Sequence, residues 1–250
     1  MGELPPVKLW VDEQKYMPRK ITQASQVPIH LQEAAKASIQ QDIDTGLIEK
    51  VAIEDNKWGT SRQVIMAKPT KPGEPVKIRR TVDYKSLNAF INPSVWHCDP
   101  PMAQAERVKG SSYKTVIDAR DGFHSVPLHE DSKKWTHFIT ATHGVLRYNF
   151  LPQGLITSPA AFNERMHHAE MDPSTGNTAF TNSTRLMDDT CLWEDSLEDI
   201  WKSTCRYLTQ VGRAGISFSP KKFQYAQKDV DYVGFKINPD GLFVSDKILK

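Results

Sequence analysis

Three carboxylates carry the first question. Asp188 and Asp189 stand side by side after Leu186 and Met187, and Asp118 closes the apolar run Thr115-Val116-Ile117. Like charges repel, so such a set is unfavourable alone and favourable around cations. Two strand ends that aim carboxylates at a common point suit a pair of divalent ions about 3.5–4 Å apart, the usual device for phosphoryl and nucleotidyl transfer. Oxygen ligands favour Mg²⁺, with Mn²⁺ as a substitute, and Mg²⁺ completes its shell with substrate phosphates. On a solvated surface the same Asp-Asp pair would be inert. The chemistry therefore requires the element ending at Asp118 and the hairpin around Asp188 to be neighbours in one sheet.

The residues after Asp118 extend this reading. In Asp118-Ala119-Arg120-Asp121-Gly122-Phe123, Gly122 lets a backbone approach a triphosphate closely. Phe123 is either a core aromatic or a flat ring under a sugar that leaves no room for a 2′-hydroxyl. The turn Pro69-Thr70-Lys71-Pro72-Gly73-Glu74-Pro75 separates two β-type runs and is flanked by Lys68, Lys77, Arg79 and Arg80. It reads as a basic hairpin, a solvated one or one that holds phosphates.

Other chemistries find little support. The chain has no G-x-x-x-x-G-K-[ST] loop and no H-E-x-x-H helix. His167 and His168 are neighbours on a helix and point in different directions. The three cysteines are odd in number and lack C-x-x-C spacing, against a disulfide framework or a zinc site. No signal-peptide core or membrane-length apolar run is present, so an intracellular, cytoplasmic protein with reduced thiols is expected. The formal net charge is +2 over 250 residues, so any basic surface for nucleic acid must be local.

The elements that must position these groups follow from period and punctuation. Residues 1–28 are Pro-rich and read as an extended arm. Leu31, Ala35, Ile39 and Ile43 recur every fourth residue, which predicts a helix stopped at Gly46. Short β-type runs follow at 61–68, 77–85, 113–119, 133–142 and 144–151. Ser158-Pro159 predicts a helix start with Ser as cap. Ser196 with Asp199 predicts another, with a capping box. Strands around Pro239-Asp240-Gly241 end the chain. Helices and strands mix without strict alternation, which favours an α+β fold.

Five stretches, in order, resemble one family: Arg79–Asn88, Thr115–Thr140, Leu151–Met166, Leu186–Asp189 and Phe218–Leu242. The set is similar to the reverse transcriptases of gypsy-type LTR retrotransposons and, more distantly, of retroviruses. The resemblance implies a right-hand polymerase fold with fingers and start of palm at 29–110 and palm at 111–250, the thumb absent or only begun. It implies an RNA-directed DNA polymerase core that joins a dNTP to a primer 3′-hydroxyl on an RNA or DNA template. Asp118, Asp188 and Asp189 would be the catalytic acids, Asp118 and Asp188 holding two Mg²⁺ or Mn²⁺ ions. Lys68 (or Lys71), Arg79, Asp121, Gly122, Phe123 and Gln153 with Gly154 would contact the dNTP, Phe123 as the steric gate. Val233, Gly234 and Phe235 would form the primer grip. Thumb, connection and RNase H segments of a polyprotein would be further partners, and element-encoded particles a further location.

Three departures stand out. Leu186 sits where relatives commonly carry Tyr or another residue, and Thr181–Arg185 is polar for a central palm strand. The hairpin reads Ala67-Lys68-Pro69 instead of a lysine run. The sequence ends near the expected start of the thumb. A catalytically inactive, nucleic-acid-binding remnant of such an element is the alternative reading, and an RNA-copying nucleotidyltransferase is a weaker one that Phe123 opposes.

Overall fold

Leu31, Ala35 and Ile39 are buried along one face of α1 (Ile29–Asp44), and Gly46, at φ 73°, ends the helix as the fourfold apolar spacing predicts. The computed structural model describes residues 4–19, 21–52, 57–70, 73, 76–108 and 110–245. After α1 come β1 (Ile48–Lys50), β2 (Ser61–Ala67), β3 (Ile78–Asp83), α2 (Lys85–Asn88), α3 (Pro101–Val108) and β4 (Tyr113–Asp118). Next are α4 (Glu130–Lys133), β5 (Phe138–Thr140), β6 (Gly144–Tyr148), α5 (Ser158–Glu170), β7 (Ser183–Leu186) and β8 (Asp189–Glu194). The last are α6 (Leu197–Arg213), β9 (Gln224–Gln227), β10 (Val230–Tyr232), β11 (Phe235–Asn238) and β12 (Gly241–Val244). The mixture is α+β. Contacts divide the chain into two interleaved units, one dominated by Trp96–Ser125 and Phe162–Lys250, the other by Pro5–Val95 and Val126–Ala161.

The second of these units holds a five-stranded sheet in the order β1-β6-β5-β2-β3. β2 and β3 form the hairpin expected around the Pro/Gly turn, in a register that pairs Arg62 with Asp83 and Ala67 with Ile78. α1 packs on β1 and β3. The N-terminal stretch contributes isolated bridges, Val7 to Leu128 and Val11 to Ile91. Leu9 is buried there, and its N–H donates to Ser132 Oγ at 2.9 Å. Tyr16 meets Phe90 and Trp135 edge-on, and its hydroxyl donates to the Trp58 carbonyl.

Two sequence expectations change in this unit. The run 133–142 is only half strand: Lys134–Thr136 forms a 3-10 turn before β5. Thr136 is the cause, because its hydroxyl donates to Lys133 O and accepts from Tyr148 N–H at 2.9 Å, replacing ladder bonds with side-chain ones. Ser158 does begin α5, but as its first helical residue, and its hydroxyl donates to Pro152 O at 2.7 Å. By contrast Ser196, in the other unit, caps α6 as expected: its Oγ accepts from Asp199 N–H, and Asp199 Oδ2 accepts the Ser196 hydroxyl proton.

The unit with Trp96–Ser125 and Phe162–Lys250 holds a four-stranded sheet, β7-β8-β4-β9. β4 is nearly all buried, as its apolar run demands. Alternate residues divide between its faces. Val116 and its cross-strand partner Cys191 join Ala105 and Val108 of α3, with Val230, Tyr232 and Ile237, in one buried cluster. Thr115, on the opposite face, meets Thr204 of α6. β10, β11 and β12 make a second sheet. The polar stretch 181–185 is explained by topology: β7 is an edge strand, not a central one. Among the described residues no helix is long and apolar enough to cross a membrane, and Cys98, Cys191 and Cys205 are unpaired.

Candidate active site

The antiparallel register of β4 and β8 sets Asp118 directly opposite Asp189. β7 and β8 are joined by a two-residue turn, Met187-Asp188, inside the pair Leu186–Asp189. Asp188 O accepts from Ala119 N–H at 2.8 Å, which ties the turn to the end of β4. The three acids named from sequence are thus brought together by one sheet edge. Met187 has φ 53°, the left-handed region, at the first turn position. A side chain there costs on the order of 1–3 kcal/mol, which the surroundings must offset.

Electrostatics follow from this crowding. Asp118 is 11% exposed and pairs through Oδ2 with Lys222 Nζ at 2.6 Å. Burial, then the Asp118 charge, pushes Asp189 up to about 6. Burial and Asp118 also raise Asp188, while Lys222 and Arg185 ease it. Lys222 is raised by its bond to Asp118. Nothing in the sequence singles out Lys222, which lies in the Phe218–Leu242 stretch ahead of the hairpin at 233–235. It arrives because residues 217–219 run along the end of β4: Arg120 N–H donates to Ser217 O, and Ser219 N–H donates to Asp118 O.

Gly122 has a role the sequence did not show. A Cβ there would stand 2.6 Å from Asp188 Oδ1 and 2.8 Å from the Phe162 ring. Glycine is therefore required for the Asp188 carboxylate to keep its place. Asp188 Oδ1 is buried and has no hydrogen-bond partner. Such an orphan acceptor, on a carboxylate that feels the Asp118 charge, fits a cation ligand better than it fits a fold contact. Among the described residues, no three His, Cys, Asp or Glu side chains already converge as a ligand set. Phe123 is partly buried and meets Phe162 edge-on, centroids 5.8 Å apart. Asp121, beside it, has φ 48° and is exposed.

Val233 and Gly234 form the turn between β10 and β11, with φ 43° and 90°. Positive φ at both positions is the type I′ pattern. Val233 and Phe235 pack on the buried cluster around Val116 and Tyr232, and Gly234 O accepts from Ser245 N–H.

The remaining candidates lie in the other unit. Strand alternation separates the neighbours Arg79 and Arg80. Arg79 is exposed; Arg80 is bound by Asp42 and Ser38 of α1, a fold contact that removes it from phosphate binding. Lys68 is exposed, its N–H donating to Lys77 O at 2.7 Å, so it extends the β2–β3 hairpin by one rung. Lys71 lies outside the described residues. Gln153 is exposed beside Gly154, which has φ 102° and would set a Cβ 2.6 Å from Val82 O of β3. Asn88 holds this loop: its amide donates to Gly154 O, and its Oδ1 accepts from Ile156 N–H.

With this geometry in place, comparison with known proteins is specific. The model of the family "Reverse transcriptase (RNA-dependent DNA polymerase)" matches residues 68–237. The Retrovirus-related Pol polyprotein from transposon opus of Drosophila melanogaster is 24% identical over 212 residues, 85% of this chain and 20% of that protein. The Transposon Tf2-3 polyprotein of Schizosaccharomyces pombe is 23% identical over 177 residues, 71% of this chain and 13% of that protein. This chain thus spans a fifth or less of the length of these relatives. A solved structure of the foamy viral protease-reverse transcriptase in complex with dsDNA superposes with a TM-score of 0.81 at 20% identity, over 98% of this chain and 48% of that one. The chain belongs to the reverse transcriptase (RNA-dependent DNA polymerase) family, and its fold is that of the fingers and palm of such polymerases.

Proposed function

We propose that this chain is the RNA-directed DNA polymerase core of a retrotransposon polyprotein, adding dNTPs to a primer 3′-hydroxyl on an RNA or DNA template. The observation that supports this most is the pairing of Asp118 with Asp189 across β4 and β8, with Asp188 Oδ1 buried and unpartnered beside them. Asp118 and Asp188 would hold two Mg²⁺ or Mn²⁺ ions, which when bound acidify the primer hydroxyl and offset charge on the leaving pyrophosphate. Asp189 adds negative charge that favours cations at this edge. The backbone at Asp121 and Gly122 would cradle the triphosphate. Phe123, braced by Phe162, would set the floor against the sugar. Arg79 and Lys68 would bind triphosphate oxygens, and Gln153 would line the nucleotide pocket. Val233, Gly234 and Phe235 would hold the primer end.

The fingers role falls to 29–110 and the palm role to 111–250, with 126–161 packing in the unit of the basic hairpin. Thumb, connection and RNase H segments are the expected companions of this core, in the cytoplasm or in element-encoded particles.

The deciding experiment is primer extension by wild type and Asp118→Asn with Mg²⁺ and with Mn²⁺. The amide keeps the shape and removes the ligand charge. The wild type should extend primer and the variant should lose on the order of 10³-fold or more. A folded wild type without extension activity points to the inactive, nucleic-acid-binding alternative. A variant near wild-type rate refutes the assignment of Asp118.

A further inference from the structure

The polymerase reading assigns chemistry to Asp188 but leaves its strained turn without a support. That support is visible in the side chain one residue before Leu186. Arg185 lies on the edge strand β7, yet its side chain is only 9% exposed. Its guanidinium reaches two elements at once. Nε donates to Glu170 Oε1 on α5 at 2.9 Å, and Nη1 donates to Asn163 Oδ1 at 2.6 Å. Nη1 also approaches Met187 O at 3.4 Å, inside the turn itself. Nη2 approaches Asn163 O at 3.4 Å. Asn163 in turn directs its amide N–H at Met187 Sδ, 3.0 Å away. The residue with the positive φ is thus gripped at its carbonyl and at its sulfur. Behind the fork, Glu170 Oε1 also accepts from the Tyr207 hydroxyl of α6 at 2.9 Å, which in turn accepts the proton of Thr190 of β8 at 2.8 Å. The acceptor of Arg185 therefore cannot swing away without breaking its bond to α6, where Tyr207 is itself held by β8.

We propose that Arg185 is the positioning residue for the Met187–Asp188 turn, its guanidinium fixed by Glu170 and Asn163 so that the turn holds its left-handed residue and aims the Asp188 carboxylate. The proposal rests on the polymerase reading for its effect on rate, though not for its effect on the turn. A tether between β7 and α5 alone needs only the bond to Glu170. The contacts to Met187 O and through Asn163 to Met187 Sδ are what such a tether would not need. A planar fork supplies these contacts together, and a lysine ammonium, a point charge on a flexible stem, does not.

The test is Arg185→Lys, which keeps the charge and loses the fork, with Glu170→Gln as the second variant should the first not fold. Four quantities are read: melting temperature, kcat and KM for dNTP in primer extension, and the ¹³C-methyl methionine NMR signal of Met187, assigned by Met187→Leu. In the folded variant kcat should fall ~10–100-fold, the scale expected of a small misplacement of a reacting group. KM for dNTP should stay within about 2-fold, and the Met187 methyl should shift or broaden. A folded variant with an unmoved Met187 methyl overturns the proposal, whatever its rate. A displaced methyl with wild-type kcat overturns it equally. If the wild type extends no primer, the polymerase reading fails by itself. The Met187 signal then decides the positioning role alone, displacement sustaining it and constancy refuting it.

Discussion

Asp189 is the group through which the site strains the fold, and its removal should stabilise the protein. It faces Asp118 in the β4–β8 register, and burial with that charge raises it from the ordinary 3.8 to about 6. At about 1.4 kcal/mol per tenfold change in proton affinity, this corresponds to about 3 kcal/mol of destabilisation once the group is ionised. Asp189 is only partly buried, so solvent screening reduces the figure to about 1–2 kcal/mol. The direction follows from proton binding. Below 3.8 the carboxyl is protonated in both the folded and unfolded chain, and no stability is lost. Between 3.8 and about 6 the folded chain keeps a proton that the unfolded chain has released, so stability falls as pH rises. Above about 6 the loss is complete. Asp189→Asn keeps the shape, removes the charge and should therefore be more stable than wild type by about 1–2 kcal/mol near pH 8. The gap should close as pH falls toward about 4. Urea unfolding followed by tryptophan fluorescence at several pH values measures this. A variant less stable than wild type near pH 8, or a gap that does not change with pH, would refute the argument that Asp118 and burial hold Asp189 in an unfavourable ionised state.

Two further outcomes separate substrate roles. Arg79→Ala should raise KM for dNTP by roughly 10-fold while primer-template affinity, read by filter binding, changes little, since the exposed guanidinium is assigned to triphosphate; lost duplex affinity with unchanged dNTP dependence would make Arg79 a duplex contact. Phe123→Val should raise incorporation of rNTP relative to dNTP in direct competition; if Phe123 only fills the core, truncation lowers use of both equally and costs about 3–5 kcal/mol of stability.

The parts of this molecule that the sequence disclosed are those governed by local period. α1 announced itself through Leu31, Ala35 and Ile39, and β4 through an apolar run that is buried along almost its whole length. That β4 and β8 are neighbours, with Asp118 opposite Asp189, was expected from a family resemblance, since nothing in the periodicity of β4 or β8 states that they pair. What stayed hidden depends on strand order and on distant partners. Thr181–Arg185 looked too polar because its strand was placed at the centre of the sheet, whereas β7 is an edge and Arg185 is satisfied by Glu170 and Asn163. Lys222 was overlooked because its partner Asp118 lies 104 residues away along the chain. Arg79 and Arg80 read alike as a basic pair, and only the strand's alternation sends one to solvent and the other to Asp42.

Two cations stand near the three carboxylates, and their surroundings assign them different work. Arg185 is almost fully buried and bonded to Glu170, so its charge is already matched. Withdrawing it would leave the largely buried Glu170 carboxylate with the Tyr207 hydroxyl but no counter-charge, at a cost on the order of 3 kcal/mol. It is therefore fixed, and a fixed fork suits the task of holding geometry. Lys222 is 67% exposed, sits on a flexible stem and touches Asp118 through one atom. Asp118 itself is largely buried, but solvent and salt reach the ammonium end of the pair and screen it. Its charge partly compensates Asp118, Asp188 and Asp189, and it is easily displaced. On the polymerase reading this is the required order of strengths: the group that shapes the turn resists removal, while the group that shields the carboxylates yields when a stronger cation arrives.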